Sequence, residues 1–162
     1  MKKIFLVVAL IATVYIKPVF AQNNQTQSLL TAYYDIKNAL VNSDATLAAS
    51  KASEFSKVLG SMDMKSMPKE EMTSFMGLQD KLEFDAKHIS DTKEIVHQRE
   101  HFANFSTNLF KLAKAVKLTR EPVYYAYCPM KKSYWLSDAA AIKNPYYGKQ
   151  MLTCGAVKET LK

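Results

Sequence analysis

Four sulfurs near the C-terminus carry the most concentrated chemistry in this chain. Cys128 and Met130 stand in C-P-M, and Met151 and Cys154 in M-L-T-C. These are the only cysteines, and the only methionines in the second half. Thiolate and thioether are soft donors that select monovalent copper over harder ions. Pro129 biases Cys128 toward an extended backbone, and if Met130 is extended too, both side chains leave one side of the chain. Met151 and Cys154 are three residues apart, so one helical turn brings them together, and Gly155 suits the end of that turn. A strand over 149–154 would send them to opposite faces instead. Two outcomes stand side by side. In one, Cys128, Met130, Met151 and Cys154 form a cage for copper(I). In the other, Cys128 and Cys154 form a disulfide, which over a loop of this length stabilises by about 3–4 kcal/mol and requires no cofactor.

A second sulfur-rich stretch is SMDMKSMPKEEMTSFM, with Met62, Met64, Met67, Met72 and Met76. Met62, Met72 and Met76 sit at helical spacing beside core positions, where methionine is a good filler. Met64 and Met67 fall in a loop and are harder to place in a core, so Met62, Met64 and Met67 form an accessory capture site for the same metal. His97 and His101 are four apart on one helix and can share a divalent ion, or simply flank the apolar seam in solvent. Gln98 falls on that seam and Arg99 borders it. Buried polar groups there need hydrogen bonds, which predicts a structural pair tying this helix to the backbone of the C-terminal segment.

Enzyme signatures are lacking: there is no glycine-rich phosphate loop, no nucleophile elbow and no helix-borne H-E-x-x-H. No catalytic residue is assigned. The first residues bound the compartment. MKK, a short apolar run and Val19-Phe20-Ala21 read as a secretory signal peptide over residues 1–21. The mature chain would start at Gln22, and losing Lys2, Lys3 and Lys17 lowers the net charge from +7 to +4. That mild charge and an exported location, periplasmic or secreted, argue against nucleic acid. No membrane insertion follows cleavage. An oxidising compartment permits the disulfide.

The elements that must position these residues are mainly helical. After a flexible leader at 22–27, four amphipathic stretches fill 28–118. Ser28 caps the first, with Leu29, Tyr33, Ile36 and Leu40 on one face. Asp44 caps the second. Pro68 is the first residue of the third. Asp91 opens the fourth with Glu94 as its reciprocal cap, and Ile95, Phe102, Leu109 and Val116 repeat every seven residues. Short turns between them predict an antiparallel up-down four-helix bundle. Residues 119–162 are extended, aromatic and rich in turn signals. They read as a small irregular Cys/Met/aromatic subdomain packed on the bundle, with Asn144-Pro145 starting a turn.

In order, C-P-M, Tyr134-Trp135-Leu136-Ser137, Ile142 followed by Asn144-Pro145-Tyr146-Tyr147-Gly148, and Met151-Leu152-x-Cys154-Gly155 resemble the domain-of-unknown-function family 3347. Gln98-Arg99-x-x-Phe102-x-x-x-Ser106 and Tyr34-x-x-Lys37-x-Ala39-Leu40-Val41-x-x-Asp44 are similar to it as well. Domains of this kind are exported and also occur attached to periplasmic adaptor subunits of heavy-metal efflux pumps. The resemblance therefore implies copper or a related soft metal, handled for efflux or buffering, and an adaptor or other envelope protein as partner. C-P-M is also similar to the opening of a short heavy-metal-binding domain of such pumps. Here Lys131 replaces that domain's histidine, and only Cys154-Gly155 stands in place of C-x-x-C-G, which excludes a four-cysteine site. The alternative class is a disulfide-stapled, non-enzymatic interaction module that docks an efflux or envelope partner.

Overall fold

The structure, a computed structural model, describes the backbone of residues 19–162 and the side chains from residue 25. The signal peptide read over 1–21 lies outside the described residues apart from its last three. Helices α1 (Val19–Val41), α2 (Ala45–Gly60), α3 (Lys69–Ser90) and α4 (Ile95–Ala115) pack in sequence, each on the next. Strands β1 (Val123–Cys128), β2 (Ser133–Ser137) and β3 (Ala156–Leu161) form an antiparallel sheet in the order β2-β1-β3. Among the described residues no helix is long and apolar enough to cross a membrane.

Most helix boundaries follow from their caps. Asp44 accepts from Leu47 N at 2.8 Å and starts α2. Pro68 is the cap of α3 rather than its first residue, and Glu70 and Glu71 follow in the first turn, where the helix dipole favours acids. Two boundaries differ from expectation. Asp91 does not open the fourth helix; it closes the third, with its N–H on Lys87 O at 2.9 Å and its carboxylate on Lys87 Nζ at 2.9 Å. Thr92 Oγ1 accepts from Glu94 N at 3.0 Å, a local turn that delays α4 to Ile95. Glu94 makes no side-chain cap bond. The polar segment 22–27 is not a loose leader but part of α1. Its Gln25 accepts from Asp63 N at 3.1 Å and donates to Ser61 O at 3.4 Å, which ties it to the end of α2. Thr26 is buried.

The heptad positions of α4 sit where their spacing requires. Phe102, Phe105, Leu109 and Leu112 are fully buried, and Val116 nearly so. Tyr33 of α1 stacks on Phe102 at 5.2 Å and tilts against Phe105 at 5.5 Å, and Phe105 meets Phe55 of α2 edge-on at 4.7 Å. This core continues into the sheet through Trp135 and Leu136, and into the last turn through Tyr146. The C-terminal segment is therefore an ordered sheet sharing the bundle's core, not an irregular appendage. β3 escapes notice in the sequence because AVKETL has no fully buried residue. Backbone pairing to β1 and a Lys114–Glu159 ion pair of 2.7 Å hold it.

Tyr33 also joins the layers through its hydroxyl. β2 is an edge strand, and its Leu136 N–H donates to Tyr33 Oη at 3.0 Å. The same hydroxyl lies 2.7 Å from Ser106 Oγ of α4. An unpaired edge N–H in the interior is costly. Tyr33→Phe keeps the ring and leaves Leu136 N–H and Ser106 without this partner. The expected loss is about 1–3 kcal/mol, read as a lower urea midpoint with an unchanged slope.

Candidate functional site

The two cysteines meet where the β1–β2 hairpin faces the chain's last turn. Cys128 ends β1, opposite Ser133, and residues 129–132 form the hairpin turn, with Lys132 at a positive φ of 55°. Cys154 follows a short 3-10 turn at Gly148–Met151, and its N–H donates to Met151 O at 3.0 Å. Residues 149–154 thus turn rather than run extended, so the strand that would send Met151 and Cys154 to opposite faces does not form. Both are free thiols. Cys128 is fully buried and Cys154 half-buried. The Cys154 thiol neighbours Cys128; burial first, then the neighbouring sulfur, pushes its pKa up.

Asn144 builds this junction. It is wholly buried. Its Nδ2 donates to Cys128 Sγ at 3.2 Å and to Cys154 O at 2.7 Å. Its Oδ1 accepts from Tyr146 N at 2.8 Å and Tyr147 N at 3.3 Å, the turn-starting role its place before Pro145 predicts. Lys131 N supplies a second donor to Cys128 Sγ at 3.4 Å. Behind the site, Gly155 lies against Trp135 with φ +147°, and a Cβ there would sit 2.7 Å from the indole and 2.9 Å from Tyr127 O. Of the four sulfurs in the expected cage, the fold brings the two thiols together. Met130 is 61% exposed on the hairpin turn, and Met151 is half-buried on the 3-10 turn.

Arg99 clamps the last turn onto the bundle. Its Nε donates to Pro145 O at 2.8 Å, and its Nη2 to Leu40 O at 2.9 Å and Ser43 Oγ at 3.0 Å. The expected tie to the C-terminal backbone holds for Arg99 and not for Gln98. Gln98 Nε2 faces Ala45 O, Ile89 O and Thr92 O at 2.8–3.1 Å, so it fastens α2 and the α3–α4 turn to α4. Those three carbonyls dictate which end of the amide points at them. They leave Oε1 as the one buried side-chain oxygen or nitrogen without a partner among the described residues.

The methionine loop is different from expected. Met62 and Met67 are buried in the core and Met64 packs against it. The loop is short and lies over the bundle end, so its thioethers fill the interior instead of facing solvent. Met76 is 57% exposed but lies on α3, away from that loop.

His97 and His101 do stand together, with ring centres 4.7 Å apart. The structure adds two residues that the sequence reading missed. His88 of α3 stacks on His101 at 4.4 Å, and Asp85 Oδ1 lies 3.0 Å from His101 Nδ1. The signal was present: α3 and α4 are antiparallel around the turn at 91–94, so residues equally distant from it, such as 88 and 97, come side by side.

No curated protein and no solved structure matches this chain. One family does match, over residues 29–121, which spans most of α1, the other three helices and the start of the linker, and stops before the sheet with its cysteines. That match covers more than half of the sequence, and the chain belongs to the family described as protein of unknown function, DUF3347.

Proposed function

We propose that this is an exported soft-metal-binding protein that holds copper(I) at Cys128 and Cys154, for efflux or buffering. One observation supports this above the others: two unbridged cysteines neighbour each other at a junction built by Asn144, whose amide bonds Cys128 Sγ and Cys154 O, with N–H groups aimed at Cys128 Sγ. Donors directed at a sulfur orient it as a ligand. The donor set is soft and fits a monovalent ion. Met130, exposed at the rim, loses little packing by folding over the ion, and Met151 on the adjoining turn is the fourth donor. The raised pKa of Cys154 means that binding displaces a proton there, so affinity rises with pH. No reaction is assigned. The partner class is an efflux adaptor or another envelope protein.

The same proximity of the two cysteines around Asn144 favours a second reading, a disulfide-stapled interaction module. Loss of two protons and two electrons to an external disulfide oxidant would join the sulfurs without metal.

Anaerobic titration of the reduced protein with copper(I), against a competing chelator, tests the first reading. Cys128→Ser/Cys154→Ser is expected to lower the affinity about 100-fold or more, and Met130→Leu/Met151→Leu about tenfold. Unchanged affinity in the cysteine pair would sink the site. Intact mass without reductant separates the readings: a chain lighter by two protons that neither binds copper(I) nor is reduced by it supports the staple.

A further inference from the structure

All three histidines of this chain, His88, His97 and His101, meet at the α3–α4 hairpin. We propose that they form a second site, separate from the sulfurs, for a divalent transition-metal ion of the zinc or copper(II) class.

The ring spacing carries the argument. Three imidazoles on one tetrahedral ion, each nitrogen about 2.0–2.1 Å from it, have ring centres about 5 Å apart. Here the centres are 4.4, 4.7 and 6.3 Å apart. Two of the rings already have their Nδ1 atoms engaged. His88 Nδ1 bonds Phe84 O at 2.9 Å, and His101 Nδ1 bonds Asp85 Oδ1 at 3.0 Å. Both leave Nε2 for a metal, the arrangement in which a carbonyl or carboxylate behind the ring orients a ligating histidine. Asp85 suits that role: its side chain is 4% exposed, and among the described residues no lysine or arginine pairs with it. Phe84 covers the rings from one side, at 4.2 Å from His88 and 5.8 Å from His101. Lys87, next to His88 on α3, pairs with Asp91 at 2.9 Å.

The nitrogens are not a ready-made coordination set; none exists among the His, Cys, Asp and Glu side chains of the described residues. Binding requires the rings to turn out of their stacked and tilted arrangement, which side-chain torsions supply with both helices fixed. His97 is exposed and the least constrained, so it supplies most of that movement. The ion has three protein ligands, and its fourth position is open to water.

Zn2+ titration of the Cys128→Ser/Cys154→Ser protein by calorimetry, with the imidazole resonances followed by NMR, tests this. One equivalent is expected to bind, with all three rings shifting together. His97→Ala, at an exposed position that does not threaten the fold, is expected to weaken binding at least tenfold, as are His88→Ala and His101→Ala. Asp85→Asn is expected to weaken it about tenfold while the three rings still respond. Thermal melts of each variant without metal separate lost binding from lost fold. Binding that survives His88→Ala unchanged would reduce the site to an ordinary helical pair and overturn the proposal. So would a titration in which His88 and His101 do not shift.

Discussion

Asn144→Ala is expected to cost about 3–5 kcal/mol of folding stability, from four hydrogen bonds lost in the interior and N–H groups left without acceptors. This one side chain serves both sulfur-bearing segments. Its amide nitrogen holds Cys128 Sγ and Cys154 O, while its oxygen holds the N–H groups of Tyr146 and Tyr147. Truncation therefore loosens the last turn and the thiol junction together. The measurement is a thermal melt, where a change of this size lowers the midpoint by about 10–15 °C, paired with the copper(I) titration. Asn144→Asp separates the two jobs. A carboxylate still accepts from Tyr146 and Tyr147, but it cannot donate to Cys128 Sγ, and it faces Cys154 O with oxygen against oxygen. If Asn144→Asp restores full stability, the residue is only a turn cap and has no organising role at the sulfurs.

Gly148→Ala is the second large effect expected, at about 3 kcal/mol or more. Gly148 has φ +55°, where a side chain costs about 1–2 kcal/mol. A Cβ would also lie 2.7 Å from Ser43 Oγ, 2.8 Å from Val41 O and 2.9 Å from Arg99 Nη2. The serine can rotate away. Val41 O is backbone at the end of α1 and can move only if the helix does. Arg99 Nη2 is the nitrogen that holds Leu40 O and Ser43. The added methyl thus attacks the clamp between the last turn and the bundle. The check is the urea midpoint of Gly148→Ala alone and combined with Ser43→Ala. Little rescue by the second change is expected, because the backbone contact stays. Full rescue would show that only the serine hydroxyl was in the way.

The bundle was legible because its signals are local. Asp44 and Pro68 mark helix starts within a residue, and the period of Phe102, Phe105, Leu109 and Leu112 depends on one helix alone. Misreadings arose where a local rule had a rival nearby. Asp91 is a good helix opener, but Lys87 four residues earlier drew its carboxylate to the end of α3. Residues 22–27 are polar enough for a loose leader, but Gln25 found partners at Ser61 and Asp63, far along the chain. Met64 and Met67 looked exposed because a loop in sequence says nothing of what lies beneath it; here it is the end of the core. Gln98 was correctly seen as a buried polar residue needing partners, but the partners came from α2 and α3.

Whether 149–154 turns or runs extended stood open in the sequence, and the fold makes it a turn; the residue types of the candidate site, two cysteines each beside a methionine and an Asn-Pro turn between them, follow from sequence. Such features depend on neighbours a few residues away. That the cysteines come side by side while Met130 stays outside was settled by β1, the hairpin turn and Asn144 acting together. The gathering of His88 with His97 and His101, and of Asp85 behind them, was settled by the antiparallel packing of α3 on α4. The physical reason is the same in both cases. Hydrogen-bond reach is about 3 Å, and which distant side chains fall within it depends on how whole elements bury their apolar faces, a choice that no single segment encodes.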